Sequence, residues 1–328
     1  MIDKTKALHL KPVMAIMLYW EWLRSRMPAR KRKEFFRMKL FATDKPFFKG
    51  NLHCHTTNSD GRLTPEECKA FYVSRGYDFL SITDHRKLSE ATHMEDGMLI
   101  LCGMEMDYNL PGEVIHLVGV GLNEEMAKHD VSRNPQTYIN LVNRYGGKAI
   151  LAHPAWSLNT VTTICGLYGL AAAEIYNSAS TYPWNGDRAD SSSVLDVAAA
   201  HGTFYNFVAS DDSHRYEGEA GRSFTMVQAD ELTQESLFAA IDAGRFYCSQ
   251  GPVIRQLSLE DGKVKVECSP CERAIFYSNL AWTPGRCVTR SGLTSAEYTT
   301  HPENGETFVR VQIMDAQGNS AWTNPIIL

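Results

Sequence analysis

Lys49-Gly50-Asn51-Leu52-His53-Cys54-His55-Thr56-Thr57-Asn58-Ser59-Asp60-Gly61 is the stretch on which the reading of this chain turns. An extended segment from Phe47 to Cys54 sends alternate side chains to opposite faces, so His53 and His55 share a face and Cys54 takes the other. Two imidazoles on one face are placed to grip a single metal ion. The polar turn that follows brings Asp60 back over the same strand end, where a hard oxygen ligand suits a second ion.

The same local pattern recurs downstream. Thr64-Pro65-Glu66-Glu67 predicts a helix start, with Thr64 as the cap, Pro65 at the first helical position and Glu67 closing a capping box. Residues 78–83 read as a short buried strand that delivers Asp84 and His85 at its end. Glu105 lies toward the end of the apolar run Met98 to Met106, His116 lies inside Val114 to Gly119, and His153 follows Ala149 to Ala152. Asp211, Asp212 and His214 follow Phe204 to Ala209. Six of the eleven histidines therefore fall in or at the ends of predicted strands that alternate with helical segments. Parallel strands with alternating helices bring their carboxyl ends to one mouth, where such folds keep their chemistry.

In this order, His53-x-His55, Asp60-Gly61, Thr83-Asp84-His85, Gly103-x-Glu105, His116, Ala152-His153-Pro154 and Asp212-x-His214 resemble the PHP (polymerase and histidinol phosphatase) superfamily of metal-dependent hydrolases. The match covers roughly residues 48–250, and residues 239–252 with the β-rich tail further resemble its CehA/McbA-type branch. The resemblance implies an α/β fold, a distorted (β/α)7 barrel, and a centre of two to three divalent ions (Mn, Fe or Zn). It implies that His53, His55 and Asp212 hold one ion, His116 and His153 a second, and Asp60, His85 and His214 a third, with Glu105 bridging the first two. Asp212 is preferred to Asp211 because its spacing to His214 matches the family. The catalytic step is assigned to Asp84, Glu105 and His153, with Asp84 orienting a ligand. The expected reaction is hydrolysis of a small phosphomonoester or phosphodiester by a metal-activated water, whose pKa falls to roughly 7 at a zinc-type centre. A carbamate or carboxylic ester hydrolase and a non-catalytic metal-binding scaffold stay open as alternatives.

Three residues are expected to contact substrate: Trp156 as a wall, Asn177 in the pocket lining, and Arg222 on an anionic group. Each has a plainer reading: a buried ring, a framework hydrogen bond, a surface ion pair. Glu174 is open in the same way as Asn177.

Composition sets the outer bounds. At 328 residues, with 44% apolar and 22% charged residues, the chain suits one barrel-sized domain plus a small second one. Residues 1–49 hold 13 Lys/Arg against 4 Asp/Glu, whereas the remainder holds 20 against 34. An acidic body argues for a small-molecule substrate and against general nucleic-acid binding. The apolar stretch Val13 to Leu23 is shorter than the roughly 20 residues that span a bilayer. With the basic cluster Arg30 to Lys33 behind it, it reads as a helix packed on the barrel, with membrane-surface contact as the lesser alternative. Eight scattered cysteines and no secretory pattern predict reduced thiols and a cytoplasmic location. The expected organisation is an N-terminal segment at 1–46, the barrel at 47–251 and a small antiparallel β-sandwich at 252–328.

Overall fold

The computed structural model describes residues 37–41 and 45–328, so the N-terminal apolar stretch and its basic cluster lie outside the described residues. Strand β1 (Arg37–Lys39) precedes β2 (Phe47–Asn51), which runs directly toward His53. The helix Pro65–Val73 starts as its sequence dictates: the Thr64 side chain accepts from the Glu67 backbone, and the Glu67 carboxylate takes the Thr64 N–H. It leads to β3 (Phe79–Ile82), wholly buried and parallel to β2. Gly50 on β2 is required by this contact, because a Cβ there would lie 2.0 Å from the Phe79 ring.

After β4 (His93–Glu95), β5 (Met98–Leu110) pairs parallel to β3 and then folds back antiparallel into β6 (Glu113–Val120). The expected strand–helix alternation is broken here. Pro111-Gly112, with Gly112 at φ +85°, supplies a tight turn, so no crossover helix intervenes and β6 also meets β7 (Lys148–Leu151) antiparallel. Parallel pairing resumes from β7 to β8 (Ala172–Asn177) and from β8 to β9 (Asn206–Ser210). The chain just beyond β9 then returns to the chain just beyond β2. Asp212 N–H donates to His53 O at 2.9 Å, and His55 N–H donates to Ser213 O at 3.0 Å. The ring of pairings thus closes at residues that carry candidate ligands.

Strand β10 (Phe224–Gln228) lies antiparallel on β2, and β11 (Phe246–Ser249) on β10. The remaining strands are all antiparallel: β12 (Ile254–Glu260), β13 (Lys263–Ser278), β14 (Cys287–Thr299), β15 (Phe308–Met314), β16 (Ser320–Thr323) and β17 (Ile326–Ile327). The sequence suggests two short strands where β13 is one. Its register shifts around Cys271, and such bulges tolerate Pro270, which lacks an N–H to give the ladder. Strand β14 carries no apolar alternation, being mostly exposed and interrupted by Gly292, and was invisible to a periodicity search.

These strands share a cluster of Val264, Val266, Phe276, Leu293, Val309 and Ile313, yet they do not stand apart from the rest. Strand β16 pairs with β11, so the sheet runs on without a break. Trp322 of β16 is 1% exposed within the cluster formed by Ile175, Leu195, Phe207 and Cys248, and it stacks on Tyr176 at 5.4 Å. Arg310, fully buried on β15, makes two 2.6 Å bonds to Asp196 of the helix Ser192–Ala200. Among the described residues no helix is long and apolar enough to cross a membrane. Trp322→Ala is expected to lower unfolding free energy in urea by roughly 3–5 kcal/mol. A loss below about 1 kcal/mol would mean that the C-terminal strands do not brace the body of the fold.

Candidate metal centre

The ends of β2, β3, β7 and β9 each deliver one or more candidate ligands, whereas Glu105 and His116 lie inside the β5–β6 hairpin. Glu105 nevertheless reaches the same level. The parallel ladder of β3 on β5 ends at Ile82 opposite Cys102, and a single further bridge joins His85 to Glu105.

Four atoms converge tightly. His55 Nε2 lies 2.9 Å from Asp212 Oδ1, His53 Nε2 lies 3.2 Å from the same oxygen, and both imidazole nitrogens lie 3.2 Å from Glu105 Oε2. Tetrahedral zinc-type coordination with bonds near 2.0–2.1 Å sets its ligands roughly 3.3 Å apart. Glu105 Oε2 and Asp212 Oδ1 are both buried with no hydrogen-bond partner among the described residues. Two orphaned anionic oxygens facing two imidazoles fit a divalent cation.

The other Glu105 oxygen serves a second group: Oε1 lies 2.8 Å from His116 Nδ1 and 3.6 Å from His153 Nε2. A third group surrounds Asp60, whose oxygens lie 3.7 Å from His55 Nδ1, 3.7 Å from His85 Nε2 and 3.5 Å from His214 Nε2. His55 therefore faces the first group through Nε2 and the third through Nδ1. His214 stacks on His55 at 4.1 Å. Gly61 lets the turn close, since a Cβ there would lie 2.3 Å from His55 O.

Buried carboxylates hold these groups in place. Glu174 accepts from His53 Nδ1 at 2.9 Å, leaving Nε2 free to face the site, and its other oxygen takes the His153 N–H at 2.8 Å. That bond fixes His153 at φ +27°, and Asp212 sits at φ +52°; strained backbone at both supports a functional role. Asp84, expected to orient a ligand, makes its bonds next to Asp60. It takes the Thr56 N–H and hydroxyl and the Ser59 hydroxyl, and so shapes the loop that carries Asp60. Asp211 is committed elsewhere, to the N–H groups of Gly221, Arg222 and Ser223 and to the Tyr72 hydroxyl, with burial lifting its pKa to about 6. Asp212 is the one of the pair that faces the histidines.

The substrate candidates separate. Trp156, 38% exposed, sets its ring 5.0 Å from His153 and 5.8 Å from His116, beside both candidate ligands. Asn177 is fully buried, donating to Glu174 at 2.9 Å and to Asp212 at 3.2 Å, so it belongs to the framework. Arg222 is exposed, and its guanidinium donates to Gly218 O. Sequence reasoning missed Ser157, 2.9 Å from His153 Nδ1, and Glu219, which takes the N–H groups of His214 and Arg215 at 2.7 Å. The Ser157 spacing of four from His153 was a usable signal; Glu219, in a polar loop, gave none.

Electrostatics follow from the packing. Burial disfavours charge on His53, yet Asp212, Glu105 and Glu174 raise its pKa well above the ordinary value. His55 is raised against the same penalty by Asp212 and Glu105, and His214 reaches about 9 through Asp60 and Asp212. Burial opposes ionisation of Glu105, but His53, His116 and His153 hold its pKa far below the usual carboxylate range.

No family model matches the sequence. A curated 5′-3′ exoribonuclease of Haemophilus influenzae is 33% identical over 85 residues, 24% of this chain and 31% of that protein, so the chain spans about a third of its relative's length. Among solved structures, a two-domain protein from Bacteroides vulgatus containing a predicted PHP-like metal-dependent phosphoesterase is 14% identical, with a TM-score of 0.50 over 86% of this chain and 96% of that one. A lesion-specific endonuclease from Pyrococcus furiosus is 13% identical over 60% of this chain and 56% of its own, with a TM-score of 0.42. The chain has a PHP-like fold.

The carboxylates that raise the pKa of His53, His55 and His214 favour their protonated rings, and a cation must displace those protons. Adding Mn²⁺ or Zn²⁺ to chelated protein in weak buffer is therefore expected to release protons, with apparent affinity rising from about pH 6 to pH 8. Metal uptake without proton release, and with affinity flat across that range, would contradict the arrangement.

Proposed function

We propose that this protein is a metal-dependent hydrolase built on a distorted seven-strand PHP-type barrel, acting as a phosphoesterase on a small phosphomonoester or phosphodiester. The observation that carries the reading is the Glu105 carboxylate, 1% exposed, whose two oxygens face two separate groups of histidines. His53, His55 and Asp212 would hold one ion, His116 and His153 a second, and Asp60, His85 and His214 a third, with Glu105 shared by the first two. Bound divalent ions supply Lewis-acid polarisation of the scissile group and of the attacking water.

The chain's own residues do the rest. Glu174 holds the proton on His53 Nδ1, so that Nε2 presents its lone pair to the site. Ser157 does the corresponding service for His153, whose Nδ1 lies 2.9 Å from its hydroxyl. Asp84 fixes the turn that presents Asp60, and Trp156 covers His116 and His153 from bulk water. A basic rim supports an anionic substrate on an otherwise acidic body: Arg62 follows Asp60 by two residues, Arg86 and Lys87 follow His85, and Arg215 follows His214. All four are exposed, and Arg86 is paired with Asp107.

With Mn²⁺ supplied, kcat/KM is expected to be higher for phosphomonoesters or phosphodiesters than for carboxylic esters and carbamates of comparable size. His153→Ala should reduce that activity at least about 10–100-fold, which excludes a contaminant. Preference for a neutral ester or carbamate, with phosphate only a weak inhibitor, would overturn the phosphoesterase assignment.

A further inference from the structure

The loop leaving β8 carries chemistry that the hydrolytic centre does not use. Its root is tied to the ligand framework: the Asn177 side-chain oxygen Oδ1 accepts from the Ser180 N–H and hydroxyl, Ala179 N–H donates to Asp211 O at 2.9 Å, and the Ser178 hydroxyl donates to that of Ser223. Two short 3-10 turns follow, Ala179–Thr181 and Pro183–Asn185. Tyr182 and Trp184 lie face to face across the second, with ring centres 4.5 Å apart and planes within 4°.

Three contacts make this stack rigid and aim it. The Tyr182 hydroxyl donates to Glu219 Oε1, while Glu219 Oε2 holds the backbone N–H groups of His214 and Arg215. The Arg215 guanidinium lies 5.2 Å from the centre of the Tyr182 ring. One carboxylate thus joins the aromatic pair to the loop that presents His214. Trp184 remains 71% exposed, whereas Trp322 of the same chain is 1% exposed. A large ring kept in water and held flat against a neighbour that Glu219 ties to the His214 loop is arranged to receive another flat ring.

We propose that Tyr182 and Trp184 form a stacking platform that determines specificity, selecting a phosphoester whose non-reacting part is a flat heteroaromatic ring. The inference rests on the phosphoesterase reading for its reacting group and on the platform alone for its ring. Stacking on an aromatic side chain tolerates many ring identities, so the platform sets a class of substrate and not a single compound. Arg215, 5.2 Å from the Tyr182 ring, adds positive charge beside it for a second anionic group.

The test uses the full metal-loaded chain with a purine nucleoside monophosphate and the corresponding sugar phosphate without the base. The unchanged protein is expected to favour the nucleotide in kcat/KM by about tenfold or more, chiefly through KM. Trp184→Leu should collapse that ratio, and Trp184→Phe should restore most of it. As a readout independent of turnover, the free purine nucleoside should saturably quench tryptophan fluorescence of the metal-free chain, and Trp184→Leu should abolish the quench. Equal turnover of both phosphates, with a ratio unmoved by Trp184→Leu, would overturn the platform and leave the phosphoesterase reading intact. Saturable quenching that needs Trp184, with no phosphoester turned over, would uphold the platform and overturn the reaction.

Discussion

A carboxylate buried to 1% exposure, Glu105, is the constraint around which this fold is arranged. Placing such a charge away from water costs several kcal/mol unless cations and hydrogen bonds offset it. Five histidines from four separate stretches of chain face it, His53 and His55 beyond β2, His85 beyond β3, His116 within β6 and His153 beyond β7, and of these His53, His116 and His153 do most to hold it ionised. The backbone bonds that close the ring of strands, between His53 or His55 and Asp212 or Ser213, belong to the same few residues. Closing the fold and assembling the centre are one event.

A second set of acids does for the loops what Glu105 does for the centre. Asp84 accepts the Thr56 N–H, Glu174 that of His153, Glu219 those of His214 and Arg215, and Asp211 those of Gly221, Arg222 and Ser223. Each is a buried carboxylate holding backbone next to a candidate ligand, and charge-assisted bonds of this kind are roughly twice as strong as neutral ones. Glu174 in this way holds His153 in a left-handed conformation that a free loop would not adopt. The geometry of the candidate ligands is thereby fixed in part by carboxylates bonded to the backbone beside them.

Much of this was legible in the sequence where one residue type answers to one local rule. The capping box at Thr64 and Glu67, the shared face of His53 and His55, and the strand ends before His85, His153 and Asp212 all follow from alternation and capping. What stayed hidden depends on contacts between distant segments. The partners of Asp84 are Thr56 and Ser59, 28 and 25 residues away. Asn177 is a framework group only because the loop that carries Asp212, 35 residues on, packs against it. The β5–β6 hairpin interrupts the general strand–helix alternation, and β14 forms without apolar periodicity because β13 supplies its pairing.

The most direct test of the account is the metal content of Glu105→Gln beside that of the unchanged chain, both purified without chelator and both shown to be folded. Because one carboxylate faces two groups of histidines, the unchanged chain should carry at least about two ions, and the single substitution should empty more than one site. Retention of the full complement by folded Glu105→Gln would contradict the claim that this carboxylate organises the centre.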